Sequence, residues 1–225
     1  MIAKTLILVP SSLELEAVLA KMSVRMKVQK GPYTVFMCTG LREYLVIGSG
    51  IGVASASMAT GIALASYAIH DILVLGIGGV MGPWEPAEVF EANSDTYLRL
   101  GSIENGEYSP LSSRMGLEPH GYAKAISSKF VMQPCPLLMD LKRTVVAFGT
   151  SDQISSKEDL PFLERHYPDL RVENMEGAAI THAASLFDTP VYQIRVASNS
   201  VGNRNVSQWE IPKALDKLSE IGSLL

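Results

Sequence analysis

The apolar run Ile72-Leu73-Val74-Leu75, which passes straight into Gly76-Ile77-Gly78-Gly79, constrains the fold more than any other stretch of this chain. A strand with no polar residue on either face must be covered on both, as a central parallel strand between helix layers is. The same pattern recurs along the sequence. Lys4 to Val9 reads as a buried strand closed by Pro10, and Ser11 or Ser12 can cap a helix with Leu13, Ala17 and Leu19 on its apolar face. Tyr33 to Cys38 and Glu43 to Ile47 read as a hairpin turning near Gly40. The second of these strands ends in Gly48-Ser49-Gly50-Ile51-Gly52 and leads into an Ala- and Ser-rich helix reaching about Ile69.

Glu88 to Asn93, Thr144 to Phe148 and Val191 to Val196 supply further strands, and Ser156 to His166 reads as a helix broken by Pro168. A helix from Glu176 to about Phe187 follows the strand end at Arg171, and a last one runs from about Trp209 to Leu224. Ile211, Leu215, Leu218 and Ile221 give that last helix an inward face at helical spacing. Between Asp95 and Pro119 the chain is rich in Gly, Ser and Pro, with Tyr97, Tyr108, Met115 and Leu117 interleaved. It is expected to be a loop reaching an active site or a neighbouring subunit. The expected fold is α/β, a three-layer αβα sandwich with a largely parallel mixed central sheet, in a single domain over residues 1–225.

Composition removes several function classes. A net charge of -4 gives no basic face for nucleic acid. The apolar run Leu6-Ile7-Leu8-Val9 is too short to span a bilayer and carries no leader-peptide pattern. Cys38 and Cys135 are far apart, with no Cys-x-x-Cys and no His cluster, so neither zinc nor a disulfide framework is indicated. A reducing cytoplasm fits. Val53 stands where the dinucleotide fingerprint needs its third glycine, and no Lys-Ser/Thr follows Gly79, so neither a nicotinamide cofactor nor a P-loop nucleotide is expected. No cofactor and no metal are expected.

The chemistry-bearing residues sit at strand ends, where open α/β sheets collect their ligands. Arg171-Val172-Glu173-Asn174-Met175-Glu176-Gly177-Ala178-Ala179 runs from a strand into a helix, with a carboxylate at the helix start and small residues after it. An acidic residue there also suits the helix dipole. Arg195-Val196-Ala197-Ser198-Asn199-Ser200 closes another apolar strand. Glu14 and Glu16, at the first strand–helix junction, are either a solvated pair or a source of a carboxylate facing the same cleft as Glu176.

These residues resemble the nucleoside phosphorylase and nucleosidase superfamily over most of the chain. The run at 173–179 looks like the family's ribose-binding motif, and the glycine-rich ends at 48–52 and 76–79 and the Arg-x-x-Ser-Asn run at 195–199 stand in the expected order. Ser198 to Asn205, with Trp209 soon after and the Glu14-Leu15-Glu16 opening, is most similar to the futalosine hydrolases of the menaquinone route.

The resemblance implies cleavage of an N-ribosidic bond. Water must reach the sugar opposite the departing base, and a carboxylate can take its proton. Glu16 is assigned that role, with Glu14 the alternative if the alignment is off by one helical step. Glu176 would bind the ribose hydroxyls and favour an oxocarbenium-like transition state by its charge. Met175 would line the sugar, and Asn174, Gly78 and Ser198 would belong to the same pocket. Gln153 and Ile154 would flank the base, and Arg195 would order its loop by pairing with an acidic neighbour, which is equally the behaviour of a structural ion pair.

Asn199 stands where adenine-specific members have an aspartate. Its NH2 can donate to a 6-oxo group while its C=O accepts from N7–H, which favours a hypoxanthine-type base, N7 then taking its proton from solvent or another group. For the benzoate-bearing chain of futalosine, Trp209 would form a wall and Arg204 would meet the carboxylate.

Phosphorolysis needs a cluster of arginines, and near the glycine loops there is only Arg42. Hydrolysis is therefore expected, in a homodimer by resemblance. The rivals are a methylthioadenosine/adenosylhomocysteine nucleosidase, a purine nucleoside phosphorylase, and a nucleoside-binding protein without catalysis.

Overall fold

The computed structural model describes residues 4–105, 107–110 and 128–225. In chain order the elements are β1 (Lys4–Val9), α1 (Ser12–Leu19), β2 (Ser23–Lys30), β3 (Tyr33–Thr39), β4 (Glu43–Gly48), α2 (Val53–Ser66), β5 (Ile69–Val80) and β6 (Val89–Tyr97). They continue as β7 (Gly101–Glu104), β8 (Glu107–Pro110), β9 (Lys129–Val131), β10 (Thr144–Thr150), α3 (Leu160–His166), β11 (Leu170–Asn174), α4 (Gly177–Ser185), β12 (Val191–Ser200) and α5 (Ile211–Gly222). The large sheet runs β11-β10-β6-β12-β5-β1-β4-β3-β2, with β9 added to β6. β1 is parallel to β4 and β5, β5 to β12, and β10 to both β6 and β11, whereas β2, β3 and β4 form an antiparallel meander.

Alternate residues of the central strands feed opposite faces. Ile7, Val9, Leu73 and Leu75 pack under α1 and α5 through Val18, Ala214, Leu218 and Ile221. Leu6, Leu8, Ile72 and Val74 pack under α2 and α4 through Ala56, Ala63, Ala179 and Ile180. The result is the expected αβα sandwich with a largely parallel mixed sheet. Cutting one of the buried leucines or isoleucines back to alanine would cost about 2–5 kcal/mol, because the strands leave little room to collapse into the gap.

Several elements differ from the sequence reading, each for a local reason. β2 is absent from it although Val24, Met26 and Val28 alternate with polar residues as in a strand; both faces of the strand are exposed in the fold. β5 does not stop at Leu75 but runs through the glycines to Val80. A Cβ on Gly78 would come within 2.8 Å of Val172 Cγ1 and 3.1 Å of the Glu173 carbonyl, so the bare backbone lets β5 cross β11. β12 likewise continues past Val196 to Ser200. α5 begins at Ile211, beyond Trp209, with a proline in its first turn, where the missing N–H is no loss. Of the loop expected over 95–119, the first part is strand β6 to Tyr97 followed by the β7–β8 hairpin; residues 106 and 111–119 lie outside the described residues. Among the described residues no helix is long and apolar enough to cross a membrane.

Candidate active site

The carboxyl ends of β1, β4, β5, β11 and β12 surround one cavity of ≈ 190 Å³. Its first acidic wall comes from α1. Ser11 is the N-cap and Glu14 the third helical residue, and together they form a capping box. Glu14 is buried; one of its carboxylate oxygens accepts from Ile77 N at 2.7 Å, and the other accepts from Ser11 N at 2.9 Å and from Ser11 Oγ. A capping box usually sits at the surface, but here the same carboxylate is turned into the cavity by the β5 amide.

The second wall is the β11–α4 junction. Asn174 Oδ1 accepts from Glu176 N at 2.9 Å and Gly177 N at 2.6 Å, so Asn174, not Glu176, satisfies the free amides at the start of α4. Glu176 is thereby released from capping. Its Oε1 accepts from Gly52 N at 3.2 Å and its Oε2 from Arg195 Nη2 at 3.1 Å. Burial pushes the Glu176 carboxyl above its ordinary range, and the nearby Glu14 adds to this; the Arg195 guanidinium and the Gly52 amide oppose it.

Arg195 is only 1% exposed and pairs with Glu176, and it approaches Gly76 from the same side as Glu14. A Cβ on Gly76 would stand 2.2 Å from Arg195 Nη1 and 2.9 Å from Glu14 Oε1, so both groups occupy the space that a larger residue would need. Of the two carboxylates it is Glu176 that pairs with the guanidinium, while Glu14 is held by the Ile77 amide and Ser11.

At the other end of the cavity β12 carries a bulge. Ala197 pairs with Gly78 but Asn199 with Gly79, so Ser198 is the extra residue, and both Ser198 and Asn199 line the cavity. Ser198 Oγ lies 2.8 Å from Asn199 Oδ1, and Asn199 Nδ2 donates to Ser200 O at 3.1 Å. One N–H and one lone pair of the amide remain for a ligand. Ile154 and Trp209 close this end, the indole Nε1 donating to Asn203 O at 2.9 Å. Glu173 also lines the cavity and is tied to Ser155, whose N donates to Oε2 at 3.2 Å and whose Oγ donates to Oε1. Burial raises the Glu173 carboxyl, against its bonds to Ser155.

With this geometry in view, comparison with known proteins is decisive at the level of family. The family model described as "Phosphorylase superfamily" matches residues 4–223. The chain belongs to the phosphorylase superfamily.

The futalosine hydrolase of Streptomyces coelicolor is 27% identical over 194 residues, covering 80% of this chain and 77% of that protein. The 5'-methylthioadenosine/S-adenosylhomocysteine nucleosidase of Aeromonas salmonicida is 24% identical over 171 residues, covering 75% and 74%. Among solved structures, the nucleosidase of that type from S. pneumoniae with the transition-state inhibitor MT-ImmA has a TM-score of 0.80 at 18% identity, covering 98% of this chain and 97% of that one. At that identity the likeness is one of fold.

Within this superfamily frame, nine of the residues singled out from sequence line the one cavity: Glu176, Asn199, Asn174, Met175, Gly78, Ile154, Ser198, Arg195 and Trp209. Three do not. Glu16 is exposed, two positions and so about 200° around the helix from Glu14, and the capping box decides which of the two faces inward. The acidic residue in the cavity is the alternative, Glu14. The Ser11-x-x-Glu14 spacing was the available signal for this. Gln153 lies in a second cavity of ≈ 570 Å³ with Tyr97, Arg99 and His182. Arg204 is exposed and donates to Ile154 O at 2.5 Å, so it braces the loop after β10 and does not line the cavity. Glu173 and Ile51 line the cavity without having been singled out.

Two amides at the start of α2 are already engaged by side chains. Gly52 N donates to Glu176, and Val53 N donates to Asp152 Oδ1 at 2.9 Å. They are two of the amides that an anion could use at a helix start. Arg42 precedes β4 and pairs with Asp71 at 3.5 Å, at the amino ends of β4 and β5, away from the cavity at the carboxyl ends. Among the described residues no group of His, Cys, Asp or Glu could hold a metal.

Proposed function

We propose that this nucleosidase hydrolyses the N-ribosidic bond of futalosine, releasing hypoxanthine and leaving dehypoxanthine futalosine. The observation that carries the reading is that Glu14 and the Arg195-paired Glu176 line one cavity, with the Asn199 amide closing it. Glu14 accepts the proton of the attacking water. Glu176 accepts from the ribose hydroxyls, and its charge favours the positive charge that builds on the sugar as the bond breaks. The free N–H of Asn199 donates to O6 and its free lone pair accepts from N7–H. An adenine base would set an NH2 against that N–H, which argues against a methylthioadenosine-type substrate.

Water as the nucleophile is supported by the engaged amides of Gly52 and Val53 and by the distant Arg42, which leave a phosphate dianion little to bind. A homodimer and a role in menaquinone synthesis belong to the same proposal and rest on the resemblance alone, and a cytoplasmic location rests on the two distant cysteines. The test is base release from futalosine, inosine and methylthioadenosine, each with and without phosphate. Futalosine should be hydrolysed at a rate that phosphate does not change. Strict dependence on phosphate would make the chain a phosphorylase, and a preference for methylthioadenosine would overturn the reading of Asn199.

A further inference from the structure

Asp95, on β6, is a fully buried carboxylate that the proposed reaction does not use, and it lines neither of the two cavities. Its oxygens accept from Thr150 Oγ1 at 2.9 and 3.0 Å and from Asn174 Nδ2 at 3.0 Å. Thr150 Oγ1 itself accepts from Ala178 N at 2.8 Å, and its single proton goes to the carboxylate, the stronger acceptor within reach. Asn174 Nδ2 also donates to Gly149 O at 3.1 Å. With its NH2 group claimed on that side, the amide has one orientation left. Oδ1 faces the other way and accepts from Glu176 N, from Gly177 N, and from Arg195 Nη2 at 3.3 Å.

The orientation of one amide thus governs the main chain of Glu176 and the guanidinium that holds its carboxylate. The approach is close by design of the sequence: a Cβ on Gly177 would stand 2.3 Å from Asp95 Oδ2. Capping α4 does not by itself require a buried charge, since a neutral acceptor would serve and a buried carboxylate is costly. A carboxylate differs in one respect: it offers no donor. An amide at position 95 could present either end to Asn174, and one of those arrangements turns Asn174 Nδ2 against the Glu176 N–H and Arg195.

We propose that Asp95 is a positioning residue that acts through Asn174 to hold Glu176 in its catalytic direction. The inference rests on the ribose-binding role given to Glu176 above.

The test compares the full-length wild type with Asp95→Asn and Asp95→Ala. kcat and KM are measured without phosphate on whichever of futalosine, inosine and methylthioadenosine the wild type hydrolyses. Hypoxanthine affinity (adenine, if methylthioadenosine is the substrate) and melting temperature are measured in parallel. A misplaced reacting group costs about 100-fold in rate, so Asp95→Ala should lose about that in kcat and Asp95→Asn about tenfold, with base affinity within about threefold in both. Loss in kcat with base binding spared is the signature of positioning, because general loosening of the fold would weaken both. If Asp95→Ala does not fold, Asp95→Asn decides. A kcat loss below about threefold in folded Asp95→Asn, or an equal loss of base affinity, overturns the proposal. A wild type inactive on futalosine but active on another of the three overturns the substrate reading and leaves Asp95 to be judged on that substrate. A wild type inactive on all three overturns both.

Discussion

Replacing Glu14 by glutamine tests which glutamate of α1 does chemistry. In the native site the carboxylate accepts three donors, Ile77 N, Ser11 N and Ser11 Oγ, through two oxygens. The amide keeps one oxygen, and its NH2 must face either the β5 amide or the Ser11 pair. One buried donor side is then left without an acceptor, at about 1–3 kcal/mol. A domain of ordinary stability, about 5–15 kcal/mol, remains folded after that loss. The kinetic effect should be larger. Removing a general base lowers kcat by about 10²–10⁴-fold, or about 3–5 kcal/mol in barrier height. Glu16→Gln, at an exposed position, should stay within about 0.5 kcal/mol of wild-type stability and leave turnover unchanged. The assay is the initial rate of hypoxanthine release from futalosine in phosphate-free buffer, with thermal unfolding followed in parallel. If Glu14→Gln kept kcat within about threefold of wild type while Glu16→Gln lost more than about tenfold, the assignment from the capping box would be wrong.

Three further outcomes are expected. Glu176→Gln breaks the buried pair with Arg195, so it should lower stability by about 3–5 kcal/mol and kcat by at least about 100-fold; urea unfolding and turnover check these, and unimpaired turnover would remove Glu176 from the mechanism. Asn199→Asp should shift base preference from 6-oxo toward 6-amino purines, read as the ratio of kcat/KM for inosine and adenosine, and an unchanged ratio would refute the role given to that amide.

The third concerns pH. Burial lifts the Asp95 carboxyl from 3.8 to about 6, against the bonds from Asn174 and Thr150 and the charge of Arg195. The native state therefore holds this proton more tightly than the unfolded chain does. The stability it contributes is fully present below about pH 4 and is lost as pH rises through 6, by up to about 3 kcal/mol. Asp95→Asn should lack this component, so the stability of wild type relative to the variant should fall between pH 4.5 and 7.5; a constant difference in urea unfolding would contradict it.

The sheet and its helix layers were legible because uninterrupted apolar strands and helical spacing are written locally, as in Ile72–Leu75 and in Leu215, Leu218 and Ile221 of α5. Glu176 and Asn199 were legible through the motifs that carry them. What escaped the sequence depends on partners far along the chain. The inward turn of Glu14 is completed by an amide 63 residues away, and no periodicity records that. Arg204 was assigned by its charge, yet its direction is set by a carbonyl on the 150–155 loop. β2 has Val24, Met26 and Val28 alternating with polar residues, but they are exposed, and only pairing with β3 makes the segment a strand.

The fastening of the acidic groups has a consequence for how this chain acquires activity. Gly52 N meets Glu176 across 124 residues, Val53 N meets Asp152 across 99, and Ile77 N meets Glu14 across 63. No subset of neighbouring elements can assemble these bonds, so a partly folded chain has no half-built site with partial turnover. Regain of activity after dilution from denaturant should coincide with the slowest step of sheet closure, because long-range pairing is what limits folding in such topologies.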